Sequence, residues 1–440
     1  MKQLINLMRQ HRFYAAVTIL GTAMTLAFVM IIVMIYHFRT ANLEPEVFRT
    51  RAMYDAGAQV SRPDGTNNWG YHGLSRRAFG ALYDSLPGVD AVLWHGGLAK
   101  AVCSLPASSD RRSVFVRAVS ANWFEHFRCD FVAGRPFTQS EYDAGRAAFE
   151  RSADEWRVSQ SRQDGVVRRF VVVSERLARQ LFGSSTAAVG SQMQMDFEPV
   201  QVVGVVSDVS SIFQVAYADV WEPFTLLHED SRPADPVYDL LGNRYAVLRL
   251  GPDAGVADIR TEVGRRLDRL NGSGLEYVLR DLRLYTHTEY TFFRGSDLDA
   301  RLVYALLLLV LMVVPAVGMS GLVHAQMQSR MSEIAIRKAY GATNADIIGQ
   351  LFRESLCTTL LGGVLGYLLS CLLLLVGSTW LLGAGGVQQA DAVVSGDLLL
   401  RPWLFFAVLV ACLLFNVFST LLPVWMAVKR NISYILVGGE

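Results

Sequence analysis

Charge is scarce in this sequence. Only 18% of its 440 residues are charged against 52% hydrophobic, and 41 basic and 40 acidic side chains leave a net charge of +1. Such a balance lacks the basic field with which nucleic-acid binders hold phosphate, so no nucleic-acid partner is expected. Catalytic signatures are missing too: there is no GxSxG, no HExxH, no Cys-x-x-Cys and no GxxxxGK[ST] phosphate loop. The 8 histidines are scattered, and His228-Glu229-Asp230, the nearest approach to a polar cluster, reads as a solvated turn. No catalytic, cofactor-binding or metal-ligating residue is therefore assigned. Cysteine is sparse, at 5. Cys103 and Cys129 fall outside the apolar blocks, and nothing in the sequence places them within bridging distance, so they are expected to stay unbridged. Cys357, Cys371 and Cys412 read as packing.

What the sequence does have is long charge-free runs: Phe13–Tyr36, Leu302–Val323, Ser355–Leu382 and Pro402–Val428. The first, 24 residues, makes about 36 Å of helix, enough to cross a hydrocarbon core of about 30 Å. A core helix of a soluble protein rarely runs so far without a polar face. Four transmembrane helices are expected. The first is too long for a cleaved signal peptide, and no small-residue cleavage site follows in "HFRTANLEPE". Residues 1–12 place Leu4, Ile5 and Met8 on one side and Lys2, Arg9 and Arg12 elsewhere, the pattern of a helix lying on membrane lipid. Basic residues set the orientation. They crowd the N-terminus, the loop between the second and third spans (Arg330, Arg337, Lys338, Arg353) and the C-terminus (Lys429, Arg430), so these lie in the cytoplasm. The 383–401 loop holds Asp391 and Asp397 and no basic residue before Arg401. The expected plan is an interfacial helix over 1–12 and spans over 13–37, 301–323, 354–382 and 402–428. An exported domain fills 38–300, a cytoplasmic loop 324–353, a short outer loop 383–401 and a cytoplasmic tail 429–440.

The exported stretch alternates strand and helix signals and is read as mixed α+β, in two subdomains with a stalk. "SRRAFGALYDSL" is helical and stops at Pro87-Gly88, and "VDAVLW" follows as a strand. "RFVVVS" is a strand whose Ser174 caps the helix "ERLARQLF", which Gly183 ends. "SQMQMDFEPVQVVGVV" alternates and turns near Glu198-Pro199 as a hairpin. "RYAVLRL", "VADIRTEVGRRLDRLN" and "LEYVLRDL" form a further strand–helix–strand unit. Residues 139–169 read as an inserted loop or extra helix.

The charged stretch "EIAIRKAYGAT" interrupts the apolar blocks. Glu333 and Arg337 are spaced for a helical ion pair in the favourable order, and Arg330 shares a face with Arg337. Ile336 and Tyr340 add apolar surface beside Lys338. Gly341 is suited to a left-handed stop, and Thr343 caps the next helix with Asp346 in its first turn. "SEIAIRKAYGATNADIIGQLFRESL" resembles the signature of the FtsX-like permeases, which include macrolide-exporter and lipoprotein-releasing types. "VSANWFEHFRCDFVAGRPFT" and "VVVSERLARQLFGSSTAAVGSQMQMDFEPVQVVGVVSDV" are similar to the periplasmic core domain of that family.

The resemblance implies a bacterial inner-membrane permease whose 330–343 loop is a coupling helix docked on an ABC ATPase. It implies a dimer of that ATPase holding ATP and Mg, a second permease chain, the same or homologous, and, in some types, a periplasmic adaptor and outer-membrane channel. Lacking a phosphate loop, this chain is expected to work with an ATPase on a separate polypeptide. Gly362 and Gly366 form a GxxxG pattern that would permit close helix packing. Pro315 and Pro423 are potential kinks, and Asn416 is the plainest polar group in the spans, so no hydrophilic path crosses them. Export or release of an antimicrobial compound, peptide or lipoprotein is one expectation. The alternative is mechanical signalling to a cell-wall hydrolase. The topology is directly testable: a reporter that works only outside the cytoplasm should be active when fused after residue 150 or 390 and silent after 335, and activity at 335 would overturn the four-span plan.

Overall fold

The computed structural model describes residues 12–106, 110–143, 169–211, 213–223, 236–293 and 360–373, and singly 302, 306, 309, 310, 336, 340–343, 346, 349, 353, 376, 406 and 410. The 1–11 helix, the 144–168 insert, residues 224–235, nearly all of the second and fourth spans with Pro315, Asn416 and Pro423, and Cys357 and Cys412 lie outside the described residues. The chain divides into two compact units, residues 39–297 and the remainder.

In the second unit, α1 (Arg12–Thr40) is a helix of 29 residues. Its Ile19–Thr40 stretch is, among the described residues, the one helix long and apolar enough to cross a membrane, with a mean hydropathy of 2.4. Its two faces differ in what they touch. Ala23, Leu26, Ala27 and Met30 are buried, while Leu20, Met24 and Phe28 are 66%, 48% and 52% exposed. A helix of a soluble protein would not turn such side chains to water, and lipid suits them. The buried face meets the apolar Leu360–Leu373 helix. At Gly366 the two backbones nearly touch: a Cβ there would stand 2.7 Å from the carbonyl oxygen of Ala23 and 3.2 Å from the Ala27 nitrogen. Ser370 Oγ lies 3.9 Å from Met30 Sδ one turn on. The close helix packing that the GxxxG pattern permits is thus used, at Gly366, within the chain.

The exported unit has two cores. The first surrounds a four-stranded sheet ordered β15-β1-β13-β4 and a second ordered β12-β3-β2-β14. The strands are β1 (Ala52–Asp55), β2 (Ala58–Ser61), β3 (Trp69–Leu74), β4 (Val89–His95), β12 (Leu241–Gly242), β13 (Tyr245–Leu250), β14 (Val278–Arg280) and β15 (Leu284–Thr286). Two helices join this core, α2 (Arg76–Tyr83) and α6 (Val256–Asn271). They bury Phe79, Leu82, Ile259 and Val263 against Met53, Leu74 and Leu248.

The second core fills a seven-stranded sheet, β7-β10-β8-β11-β6-β5-β9, whose last strand pairs with β10 as well, so the ring of pairings closes on itself. Its strands are β5 (Ala99–Ser104), β6 (Arg112–Ala118), β7 (Phe131–Gly134), β8 (Arg169–Ser174), β9 (Gln192–Met195), β10 (Glu198–Val206) and β11 (Val220–Glu222). Closure leaves β7, paired with β10 alone, as the edge strand of this sheet among the described residues, while the other six strands have a partner on each side and offer no edge to stray pairing. Val171, Val172 and Val173 on β8 are all at most 1% exposed, which is why this strand reads as a run of valines rather than an alternation. The short helix α3 (Trp123–His126) and the pair α4 (Glu175–Phe182) and α5 (Ser185–Ala188) cover the ring. Ser174 Oγ accepts from Leu177 N, and Gly183 ends α4 with φ +80, as the sequence predicts. The β9–β10 hairpin turns at Asp196 and Phe197, both at positive φ, two residues ahead of the expected Glu198-Pro199. A tight two-residue turn whose twist matches its strands demands that conformation.

Cys103 on β5 and Cys129 after α3 are free thiols. Burial, reinforced by nearby carboxylates, pushes Cys103 up to about 11 and Cys129 up to about 12. Both should resist iodoacetamide near neutral pH in the folded full-length protein, and both should label after denaturation without any reductant. If denaturation alone left them unlabelled, a disulfide would be present.

Candidate functional site

The glycine-broken loop is described at Ile336, Tyr340, Gly341, Thr343 and Asp346. Arg330, Glu333, Arg337 and Lys338 lie outside the described residues. Tyr340 N donates to Ile336 O at 3.1 Å, closing a final helical turn. Gly341 then takes φ +90 with open space around its Cα. What selects glycine here is the backbone conformation, since no neighbour crowds it. Two residues on, Thr343 and Asp346 cap each other. Thr343 Oγ1 and N donate to Asp346 Oδ2 at 2.6 and 3.1 Å, and Asp346 N donates to Thr343 Oγ1 at 3.2 Å. This is a capping box with Asp in the Glu position. The Thr343 hydroxyl, then its N–H, holds the Asp346 carboxyl below the usual carboxylate range. The stop and the start are therefore both fixed. Just ahead of the stop, Tyr340 is 89% exposed and Ile336 53%. The arrangement holds no nucleophile or base; it presents an aromatic and an aliphatic side chain at a set angle.

A second arrangement, at the neck of the exported unit, carries no local sequence motif. Directly after α1 the chain turns through Glu46 and a short 3-10 turn over Arg49–Arg51. The side chains of Arg49 and Glu46 are 1% and 2% exposed and meet at 2.7 Å, Arg49 Nε donating to Glu46 Oε2. Arg49 also donates to Ala41 O at 3.2 Å, and its guanidinium lies 4.7 Å over the Phe213 ring. Glu46 Oε1 accepts from Ala216 N at 3.1 Å. His287 Nε2, at the start of α7 (His287–Phe293), lies 3.6 Å from Glu46 Oε2. Burial works to raise the Glu46 pKa, but Arg49 and His287 outweigh it and hold the carboxyl down at about 2. One carboxylate thus joins the segment leaving α1, the loop before β11 and the helix after β15.

The loop is in turn fixed to the closed ring. Arg117 on β6 donates to Tyr217 O at 3.1 Å and to Gln214 O at 2.9 Å, and lies 3.0 Å from His95 Nδ1. α7 begins with its own capping box, in which Thr286 Oγ1 donates to Glu289 Oε2 at 2.9 Å. Sequence reasoning missed the neck because its charges are far apart along the chain. The one local signal was the Glu46/Arg49 spacing of three. Truncating one member of a buried ion pair strands the other, so Glu46→Ala should cost about 3–5 kcal/mol, read as an earlier chemical unfolding midpoint of the full-length protein by tryptophan fluorescence. A change below about 1 kcal/mol would show a pair screened like a surface one.

Comparison with known proteins covers both units. The FtsX-like permease C-terminal model matches residues 305–432, and the MacB-like periplasmic core domain model matches residues 15–266. The macrolide export ATP-binding/permease protein MacB of Burkholderia cenocepacia strain HI2424 is 28% identical over 222 residues, which is 47% of this chain and 29% of that protein. YknZ of Bacillus subtilis strain 168, an uncharacterized ABC transporter permease, is 22% identical over 236 residues, or 53% of this chain and 50% of YknZ. The match thus spans under a third of the Burkholderia relative and half of the Bacillus one. Among solved structures, the periplasmic region of MacB from Actinobacillus actinomycetemcomitans aligns with TM-score 0.37 and 12% identity over 57% of this chain and 95% of that one. The chain is a membrane protein with a large extracytoplasmic domain, and it belongs to the family of MacB/FtsX-type ABC transporter permeases.

Proposed function

We propose that the chain is the permease subunit of a transporter in which a separate ATPase dimer, carrying ATP and Mg, docks on the 330–343 loop. Closure of the ATPase presses the loop, the spans carry the movement, and the exported domain drives export or release of a substrate from the periplasmic side. The substrate classes that suit this are antimicrobial compounds, peptides and lipoproteins. The proposal includes four spans, cytoplasmic termini, an inner-membrane location, a second permease chain and, beyond the membrane, an adaptor with an outer-membrane channel. The observation that carries it is the fixed bend, with Gly341 at φ +90 and Tyr340 89% exposed beside it. A loop that served only to orient the protein in the membrane would need the charges and neither the left-handed stop nor the capping box.

Roles follow from residue type. Arg330, Arg337 and Lys338 supply the charge that governs encounter and register with the ATPase, Glu333 steadies Arg337, and Ile336 and Tyr340 fill the apolar contact. Gly341 and Thr343 set the angle. At the other end of the path, the neck passes movement of the first span to the closed ring through Glu46 and Ala216. Two variants separate docking from transmission. The double variant Arg337→Glu, Lys338→Glu should lose the ATPase on co-purification. Gly341→Val, strained at positive φ, should keep the ATPase yet unlink ATP turnover from substrate movement in reconstituted membranes. A double variant that kept its partner and normal turnover would reduce the loop to a topology signal.

A further inference from the structure

We propose that His287 is a proton-operated release for the neck, so that acid outside the membrane loosens the joint between the exit of α1, the loop before β11 and α7. The inference rests on the neck geometry and on the domain being extracytoplasmic, and is independent of ATPase docking.

The joint as it stands is electrically closed. One carboxylate faces one guanidinium, and His287, 6% exposed, sits beside them with Nε2 toward Glu46. That nitrogen carries the ring proton, since it faces a carboxylate. The other nitrogen, Nδ1, is buried and has no hydrogen-bond partner among the described residues. A proton taken from solvent therefore arrives on Nδ1, and the new N–H has no acceptor. The added charge makes two cations compete for Glu46 Oε2, where Arg49 Nε already sits at 2.7 Å. The buried group goes from neutral to positive, an unfavourable state that only parting or wetting relieves. A small cavity of about 20 Å³, its accessible lining apolar, lies against Glu46, Tyr54, His126 and Arg249.

The groups around His287 come from several elements. From β1, Tyr54 meets its ring edge-on at 5.3 Å, and burial holds that phenol far above its ordinary range. On its own helix stand Tyr290, stacked on Tyr54, and Thr291. From the neck come Glu46 and Arg49, and beside Glu46 lies the buried thiol of Cys129, pushed up to about 12. The loop offers Phe213 and Ala216, which do not titrate. Burial, opposed by Glu46, keeps His287 below its ordinary 6.5. The folded joint thus binds this proton less readily than the unfolded chain. Its stabilisation is complete above 6.5 and is lost as pH falls through the lower folded value. Glu46, held down at about 2, stays ionised in mild acid. His126 on the cavity wall is also lowered, by burial first and then Arg249, and serves as the control.

The test is hydrogen exchange of the full-length protein in lipid nanodiscs at about pH 7.5 and about pH 5.5, corrected for intrinsic rates. Segments 41–51, 213–217 and 284–293 should speed up several-fold together in acid while β5 and β6 keep their protection. His287→Gln should remove the response, and His126→Gln should keep it. The proposal is overturned if the unmodified protein shows no acid response, if β5 and β6 open with the neck, if the response survives in His287→Gln, or if it is lost in His126→Gln. Should glutamine disturb packing at pH 7.5, the unmodified protein decides alone, by whether the three segments open as a set apart from the ring.

Discussion

The neck of the exported domain is organised around the buried carboxylate of Glu46. Placing Glu46 where its side chain is 2% exposed is unfavourable unless every oxygen is satisfied. The structure satisfies them from three directions, with Arg49, Ala216 N and His287. Because those partners belong to segments up to 241 positions apart, the full set assembles only when the distant segments have come together. It then prevents any of the three from shifting alone. Displacing Ala41 draws on Arg49, Arg49 draws on Glu46, and Glu46 draws on the loop that Arg117 holds to β6.

The parts so joined are stiff by construction. A closed ring of strands cannot open an edge without breaking a ladder, and β8 adds a wall of valines at its centre. The helices over it are terminated by local devices, Ser174 and Gly183 for α4. Stiff, close-packed parts transmit displacement instead of absorbing it. That is the property a mechanically driven domain needs, and it places compliance at the neck.

Much of this was legible in the sequence, and the failures are physical. Strand β8, its cap and its glycine stop follow from neighbouring residues, and so do α2, α6 and β13. The hairpin turn was read two residues late because Pro199 advertises a turn while Asp196-Phe197 does not. Asn-Gly is the pair that announces this geometry, and here a bulky residue takes its place at φ +69. The left-handed stop and capping box of the 341–346 stretch were visible because both are local. The neck was not. Glu46 and Arg49 look like ordinary surface charges until a partner 241 positions away encloses them, and no spacing rule spans that distance.

The contact at Gly366 bears on how the first span is able to move. Large side chains that interlock resist axial sliding as well as separation. A glycine seated on a neighbour's backbone presents no ridge. Close backbone approach gains its dispersion energy over a short range, so pulling α1 away from this helix sacrifices the contact. Around the glycine, Leu26, Val29, Met30 and Val33 pack with Tyr367, and Ser370 lies against Met30 one turn further on. The pairing therefore acts as a clasp that resists sliding as well as lateral escape.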